Sequence, residues 1–184
     1  MTDLKLTVLC GTNRPGARSR LVSKRLMERY EAFEGVQVRL MDLADLPVEL
    51  AAPESFANKP PGFAPFVEQI QESDAVHVVS PEYNGGYPGI LKLFIDPRPF
   101  PESLEKRPVA FTGVAAGRFG ALRPIEQLQA IFGYRNAHIY PERIFIAGAA
   151  DALDERGEVI DDFVRGLVDQ QVSGFVEFAR KLKG

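Results

Sequence analysis

The sequence predicts an α/β protein: an open parallel sheet of five strands with helices on both faces. Three observations carry that expectation. Short apolar runs rich in β-branched residues alternate with longer segments of helical period. Glycine and proline stand at the junctions between them. The chain has 184 residues, 45% hydrophobic and 26% charged, which suits one domain over 1–184 with a sizeable core.

In chain order, "LKLTVLC" (4–10) reads as a buried strand. "SRLVSKRLMERYEAF" (19–33) reads as an amphipathic helix with Val22, Leu26, Tyr30 and Phe33 on one face. Gly35 stops it, and "VQVRLMDL" (36–43) alternates as a second strand. Residues 46–65 carry five prolines and no clear period, so they form a long loop. "FVEQIQES" (66–73) is a short helix leading into the strand "DAVHVVS" (74–80). "GILKLFID" (89–96) is helical until "PRPFP" halts it. "RPVAFTGV" (107–114) is a strand, "PIEQLQAIFG" (124–133) a helix and "HIYPERIFI" (138–146) the last strand. Residues 158–184 form a long closing helix with Val159, Phe163, Leu167, Phe175 and Leu182 among its apolar positions.

Strict β/α alternation calls for parallel pairing, and right-handed crossovers leave few topologies. The common one for five strands is the flavodoxin-like order 2-1-3-4-5, in which ligands bind beyond the strand tips between β1 and β3.

Composition removes several function classes. A net charge of −3 offers no basic field for nucleic acid or an anionic membrane surface. One cysteine, Cys10, excludes an internal disulfide or a CxxC framework, and two histidines leave little for a metal site, so no metal is expected. No leader-like start or membrane-length apolar run is evident, which points to the cytoplasm.

Two loops fall at the expected switch point. In "GTNRPGARSR" (11–20), Gly11 and Gly16 permit tight turns, and Thr12, Ser19 and helix-terminal amides offer convergent donors. Arg14, Arg18 and Arg20 can pair with phosphate oxygens. Ala17 and Arg18 stand where a Walker A loop needs lysine and a hydroxyl, and no G-x-G-x-x-G occurs. The loop therefore suits a terminal monophosphate held without metal. The plainer alternative is a surface turn capped by Ser19, its arginines solvated, Arg18 above all.

In "PEYNGGYPG" (81–89), Pro81 and Pro88 fix the ends while Gly85 and Gly86 bare the backbone to a planar polar ligand. Tyr83 and Tyr87 supply rigid aromatic surface. Asn84 either meets ligand or closes a turn. Glu82 could be a base or nucleophile, but with no acidic partner nearby a salt bridge or subunit contact fits it better. His77, inside an apolar strand, and His138 read as structural, and Cys10 as a small buried residue; no residue is assigned a catalytic role.

Together these loops resemble the NADPH-dependent FMN reductase family, flavodoxin-like flavoproteins that include quinone and azo-compound reductases. "GTNRPGARSR" is similar to its phosphate loop, which implies that Thr12, Arg14 and Ser19, with Arg20 behind them, hold the FMN phosphate. "PEYNGGYPGILKLFID" resembles its PEYN signature, which implies that Pro81, Glu82, Tyr83, Asn84 and Gly85 meet the isoalloxazine ring, mainly through backbone. "GRFGALR" (117–123) resembles a third family loop and implies Gly113, Gly117 and Arg118 beside the flavin.

Three positions depart from the pattern. Leu93 stands where asparagine is frequent, Pro97 begins "PRPFP" where the helix normally continues, and Ala121 replaces a glycine. They bear on the substrate mouth and on assembly. The resemblance implies an enzyme passing hydride from NADPH or NADH through FMN to a flavin, quinone or similar small acceptor. With the apolar "LKLFI", it also implies a homodimer or homotetramer. Two other readings compete: a flavodoxin-type electron carrier, and a flavin-free nucleotide-processing enzyme with Glu82 as nucleophile.

Overall fold

The computed structural model of the chain describes residues 3–100 and 103–183. Its sheet contains β1 (Leu4–Cys10), β2 (Val36–Asp42), β3 (Ala75–Pro81), β4 (Pro108–Val114) and β5 (His138–Ile146). They lie in the order β2-β1-β3-β4-β5, all parallel, which is the flavodoxin-like arrangement the alternation implies. The helices are α1 (Arg18–Glu31), α2 (Ala64–Glu72), α3 (Gly89–Ile95), α4 (Leu122–Tyr134), α5 (Ala149–Ala152) and α6 (Asp162–Lys183).

Two cores separate the layers. Val22, Leu26 and Tyr30 of α1 pack with Val168, Val172 and Phe175 of α6 on one face. Ile70 of α2, Leu91 and Phe94 of α3, and Ile125 and Leu128 of α4 fill the other. All seven residues of β3 are buried, because helices cover both of its sides. Among the described residues no helix is long and apolar enough to cross a membrane.

The differences from the sequence reading have local causes. The 46–65 stretch is wound into 3₁₀ turns at Val48–Ala51, Pro53–Phe56 and Pro61–Phe63, which sink Leu50 and Phe63 into the core. Helix α6 starts at Asp162 rather than at 158. Val159 is bridged to Leu153 instead, and Asp161 accepts from the Val164 amide at 2.9 Å as a cap. Its buried face is Val168, Val172, Phe175, Val176 and Ala179, leaving Phe163, Leu167 and Leu182 exposed. Helix α5 carries no apolar period and was not legible. The expected end of α6 at Gly184, and Pro101 of "PRPFP", lie outside the described residues.

A buried polar chain links the layers. Tyr30 Oη lies 2.7 Å from His77 Nδ1, and His77 Nε2 lies 2.8 Å from Thr112 Oγ1. Thr112 Oγ1 donates to Gln171 Oε1 at 2.9 Å, and Gln171 Nε2 donates to the Phe111 and Glu142 carbonyls. Because the Thr112 proton is committed to Gln171, His77 must donate from Nε2 and accept at Nδ1 from Tyr30. Burial pushes the His77 pKa down from 6.5 to about 3. The unfolded chain thus binds a proton near pH 6.5 that the folded chain refuses, so stability falls as pH drops below 6.5. Its His77 share should approach about 1.4 kcal/mol per pH unit. Urea unfolding between pH 6.5 and 5 should show this decline in the wild type. His77→Gln should be less stable at pH 7 yet lose that slope; an unchanged slope would contradict the buried neutral histidine.

Candidate functional site

Helix α1 follows β1 on one face of the sheet and α3 follows β3 on the other, so a crevice opens between the two strand tips. The cleft there measures about 270 Å³. Its walls are Arg14 and Gly16 to Ser19, Pro81 to Tyr83, Val114 to Ala116, and Ala149 with Ala150.

The first loop has the features an anion seat requires. The Gly11 amide donates to the Val79 carbonyl at 2.9 Å, anchoring the loop on β3. Gly16 turns the chain into α1 with φ of +67°. The N-cap of α1 is Ala17, which provides no side-chain cap, and no acidic residue occupies the first turn. The positive end of the helix is therefore uncompensated. Ser19 lies inside the helix, not at its cap; it is buried, and its Oγ has no hydrogen-bond partner among the described residues. Arg14 lines the cleft, exposed, with no ion pair among the described residues. An orphaned hydroxyl, a bare helix start and an unpaired guanidinium together fit a phosphate.

The other two arginines are engaged. Arg20 points away from the cleft and grips Asp42 through Nε at 2.5 Å and a second nitrogen at 3.2 Å. Arg18 lines the cleft but donates to backbone carbonyls of the segment after β5, so it is not free in solvent.

The second loop is a tight turn. Tyr83 and Gly86 exchange backbone hydrogen bonds of 2.9 and 3.1 Å, and Asn84 and Gly85 between them have φ of +52° and +80°. Two central residues with positive φ make this a type I′ turn, for which Asn-Gly is the favoured pair. Asn84 and Gly85 thus shape the loop without lining the cleft, while Pro81, Glu82 and Tyr83 face it. Tyr87 packs against the core instead. Tyr83 Oη meets the buried Thr12 Oγ1 at 2.8 Å, and the same Thr12 oxygen accepts the Arg14 amide at 3.2 Å. That hydroxyl pair joins the two loops. Glu82 lies 3.5 Å from Arg123, whose guanidinium sits over the Phe119 ring.

None of the three residues expected from the third loop lines this cleft. Gly113 is covered: a Cβ there would stand 2.4 Å from the Gly120 carbonyl, so this glycine serves packing. Gly117 and Arg118 are exposed beyond the lining, which Val114, Ala115 and Ala116 provide. Ala149 and Ala150 were missed altogether. The signal was "GAAD" just past the last strand's carboxyl end, the side where such sheets bind ligands.

Burial pushes the Cys10 thiol up to about 11, so it is no thiolate at neutral pH. His138 is exposed at the start of β5, at the opposite end of the sheet. No group of three or more metal-ligating side chains occurs among the described residues.

A parallel sheet of this order, with an anion seat at its β1/β3 switch, defines a flavodoxin-like protein of the mononucleotide-binding type. The model of the NADPH-dependent FMN reductase family matches residues 4–152, and the chain belongs to that family. It is 31% identical to an NAD(P)H-dependent FMN reductase of Pseudomonas aeruginosa, over 99% of this chain and 98% of that protein. It is 32% identical to a quinone reductase of Pseudomonas putida, over 91% of this chain and 92% of the relative. Among solved structures it is similar to the flavoenzyme NAD(P)H:(acceptor) oxidoreductase FerB of Paracoccus denitrificans. There the TM-score is 0.82 at 27% identity, covering 97% and 98% of the two chains.

A double-mutant cycle tests the loop junction. Thr12→Val and Tyr83→Phe should show a coupling of about 0.5–1.5 kcal/mol in urea unfolding, the value of one hydrogen bond. Additive effects would mean that the two hydroxyls do not meet in solution.

Proposed function

We propose that the protein is an FMN-dependent NAD(P)H oxidoreductase acting on small acceptors of the quinone or flavin type. The observation that carries this reading is the anion seat at the switch point: among the described residues Arg14 is unpaired, the α1 terminus has no side-chain cap, and Ser19 Oγ has no partner. Arg14 and Ser19 hold the phosphate in this reading, while Thr12, expected as a third ligand, is buried outside the cleft lining and bonded to Tyr83, so it braces the loop instead. Pro81, Glu82 and Tyr83 flank the ring, and the Asn84–Gly85 turn fixes their backbone. Arg20, paired with Asp42, steadies the loop rather than touching ligand.

The chemistry FMN supplies when bound is acceptance of hydride from NAD(P)H and delivery of the electron pair to the acceptor. The chain's own work is binding and orientation. Arg14 and the helix terminus neutralise the phosphate, and the Thr12–Tyr83 bond keeps the phosphate and ring ends of the cleft in fixed relation. Ala115, Ala116, Ala149 and Ala150 present small walls that let a flat ligand approach the backbone. No buried acid or base is needed: His77 is held neutral in the core, and Glu82 is matched by Arg123. That pairing also weighs against Glu82 as the nucleophile of a flavin-free enzyme, and the relatives' reductase names weigh against a pure carrier.

Homodimer or homotetramer assembly is part of the same reading, although not through "LKLFI". Leu91, Phe94 and Ile95 are spent in the chain's own core. Exposed apolar side chains lie instead at Val48, Phe56, Tyr134, Ile160 and Phe163, among others. The free, buried Cys10 thiol suits a reducing compartment, and this reading puts the protein in the cytoplasm.

Purified protein should be yellow, or become so with FMN, and should bleach when NADPH or NADH is added anaerobically. A colourless protein that refuses FMN overturns the assignment; a yellow one inert to both nicotinamides makes it a carrier. Arg14→Ala should weaken FMN binding by about 1.5–3 kcal/mol, the scale of a charge-assisted hydrogen bond. Light scattering should give at least twice the monomer mass, and a monomer would refute the assembly.

A further inference from the structure

We infer that Arg18 is a positioning residue that builds one wall of the flavin cleft by clamping the segment after β5. This rests on the flavin reading of the same site. Arg18 lies in the cleft lining between the anion seat and Ala150, yet its guanidinium is turned to main chain. One terminal nitrogen donates to the Asp154 carbonyl at 3.0 Å and lies 3.5 Å from the Leu153 carbonyl; the other lies 3.5 Å from the Ala150 carbonyl. Carbonyls are the acceptors a guanidinium takes when no anion is offered, and these belong to the strap that carries Ala149 and Ala150.

The strap is pinned along one face of α1. Gly157, with φ of +86°, lies so close to Leu21 that a Cβ would stand 2.3 Å from the leucine Cβ. Two turns further on, Arg29 forks onto both carboxylate oxygens of Glu158 and reaches Asp169 at 2.8 Å. Arg18, Leu21 and Arg29 are spaced three and eight residues apart, so they share a helix face. Within the strap, Asp154 Oδ1 accepts the Arg156 and Glu158 amides, each at 2.8 Å, which closes the loop on itself. At its other end the Ala149 amide donates to the Ala115 carbonyl at 3.0 Å, binding the strap to the third loop.

Arg18 is thus the pin nearest the ligand. Arg29 and Leu21 hold the far half of the strap, and only Arg18 among these side chains bonds the half that lines the cleft. Removing it leaves Ala149 and Ala150 held by backbone bonds to Ala115 and Gly117 and by the core packing of Ala149, so the wall should loosen and every part of the flavin should lose packing. A direct phosphate ligand would behave differently, because its loss weakens only phosphorylated ligands. Arg14 has that behaviour in the present reading.

The test compares FMN with riboflavin on the full chain by fluorescence titration, with amide hydrogen exchange read over 148–158. Arg18→Met keeps the apolar stem and removes the donors. It should weaken FMN and riboflavin by a similar factor, roughly tenfold, and speed exchange at Ala149 to Asp154. Arg18→Lys should recover part of both effects, and Arg14→Ala should weaken FMN selectively with strap exchange unchanged. Loss of FMN affinity with riboflavin untouched in Arg18→Met would make Arg18 a phosphate ligand and overturn the proposal. Unchanged exchange would overturn it too. Wild-type protein that binds neither flavin would sink the proposed function instead, while the exchange measurement would still decide whether Arg18 holds the strap.

Discussion

The structure turns on the contact between two strand tips that the backbone ladder cannot join. Past the ends of β1 and β3 the chain leaves in opposite directions, and whatever spans the gap must come from the loops. Here it is a pair of hydroxyls, Thr12 Oγ1 and Tyr83 Oη at 2.8 Å, backed by the Gly11 amide on the Val79 carbonyl. Thr12 is fully buried, so its oxygen needs partners; the Tyr83 hydroxyl and the Arg14 amide satisfy it. The same atom therefore fixes the aromatic edge of the cleft and the main chain that carries Arg14. In the proposed reading the cleft takes an anion at one end and a flat ring at the other, and that depends on keeping those ends in register.

Beneath the cleft the protein is rigid for a separate reason. The chain from Tyr30 through His77 and Thr112 to Gln171 crosses from α1 through the sheet to α6, with every polar atom in it paired. Such a network specifies one arrangement of the layers, since any slip would strand a buried donor or acceptor. It also takes His77 out of the chemistry. The histidine sits in the strand that leads to the site, yet both ring nitrogens are committed and burial keeps the ring neutral. Acid–base inertness agrees with a reaction in which the cofactor carries the reactivity.

The positions that depart from the family pattern are accommodated without disturbing the cleft. Ala121 takes a left-handed φ of +69° at the start of α4, where glycine would be unstrained, at a cost of roughly 1–2 kcal/mol. Its methyl is fully buried beside Gly113, which explains why that strand position has no room for a side chain. Leu93 is half-buried against the core that Phe94 anchors. Pro97 and Pro99 wall a separate groove of about 640 Å³ with Pro60, Pro61 and Phe63, sharing no residue with the flavin cleft. Between those prolines Arg98 turns inward over the Phe94 ring at 4.4 Å, and burial beside Arg107 and Arg135 lowers its pKa to about 9. The changes thus alter the flank of α3 and the approach to α4 rather than the anion seat.

The amino-acid sequence by itself determined the alternation, the parallel sheet and its order, and the two loops at the switch point. Each follows from short-range signals: apolar period, glycine and proline punctuation, and side-chain types within a ten-residue stretch. The limits of β1 and β5 were legible for the same reason, because apolar runs are local, whereas α1 runs Arg18–Glu31 against the expected 19–33. What only the tertiary structure decided is which side chains stay free for ligand. Arg14, Arg18 and Arg20 look alike in "RPGARSR", yet Asp42 claims one and carbonyls from residues 150–154 claim another. The strap with Ala149 and Ala150 was marked only by "GAAD" past the end of β5, because it has no period of its own and is held by contacts some 130 residues distant in sequence. A guanidinium's role is set by its nearest acceptor in space, and a linear sequence records no distances across the fold.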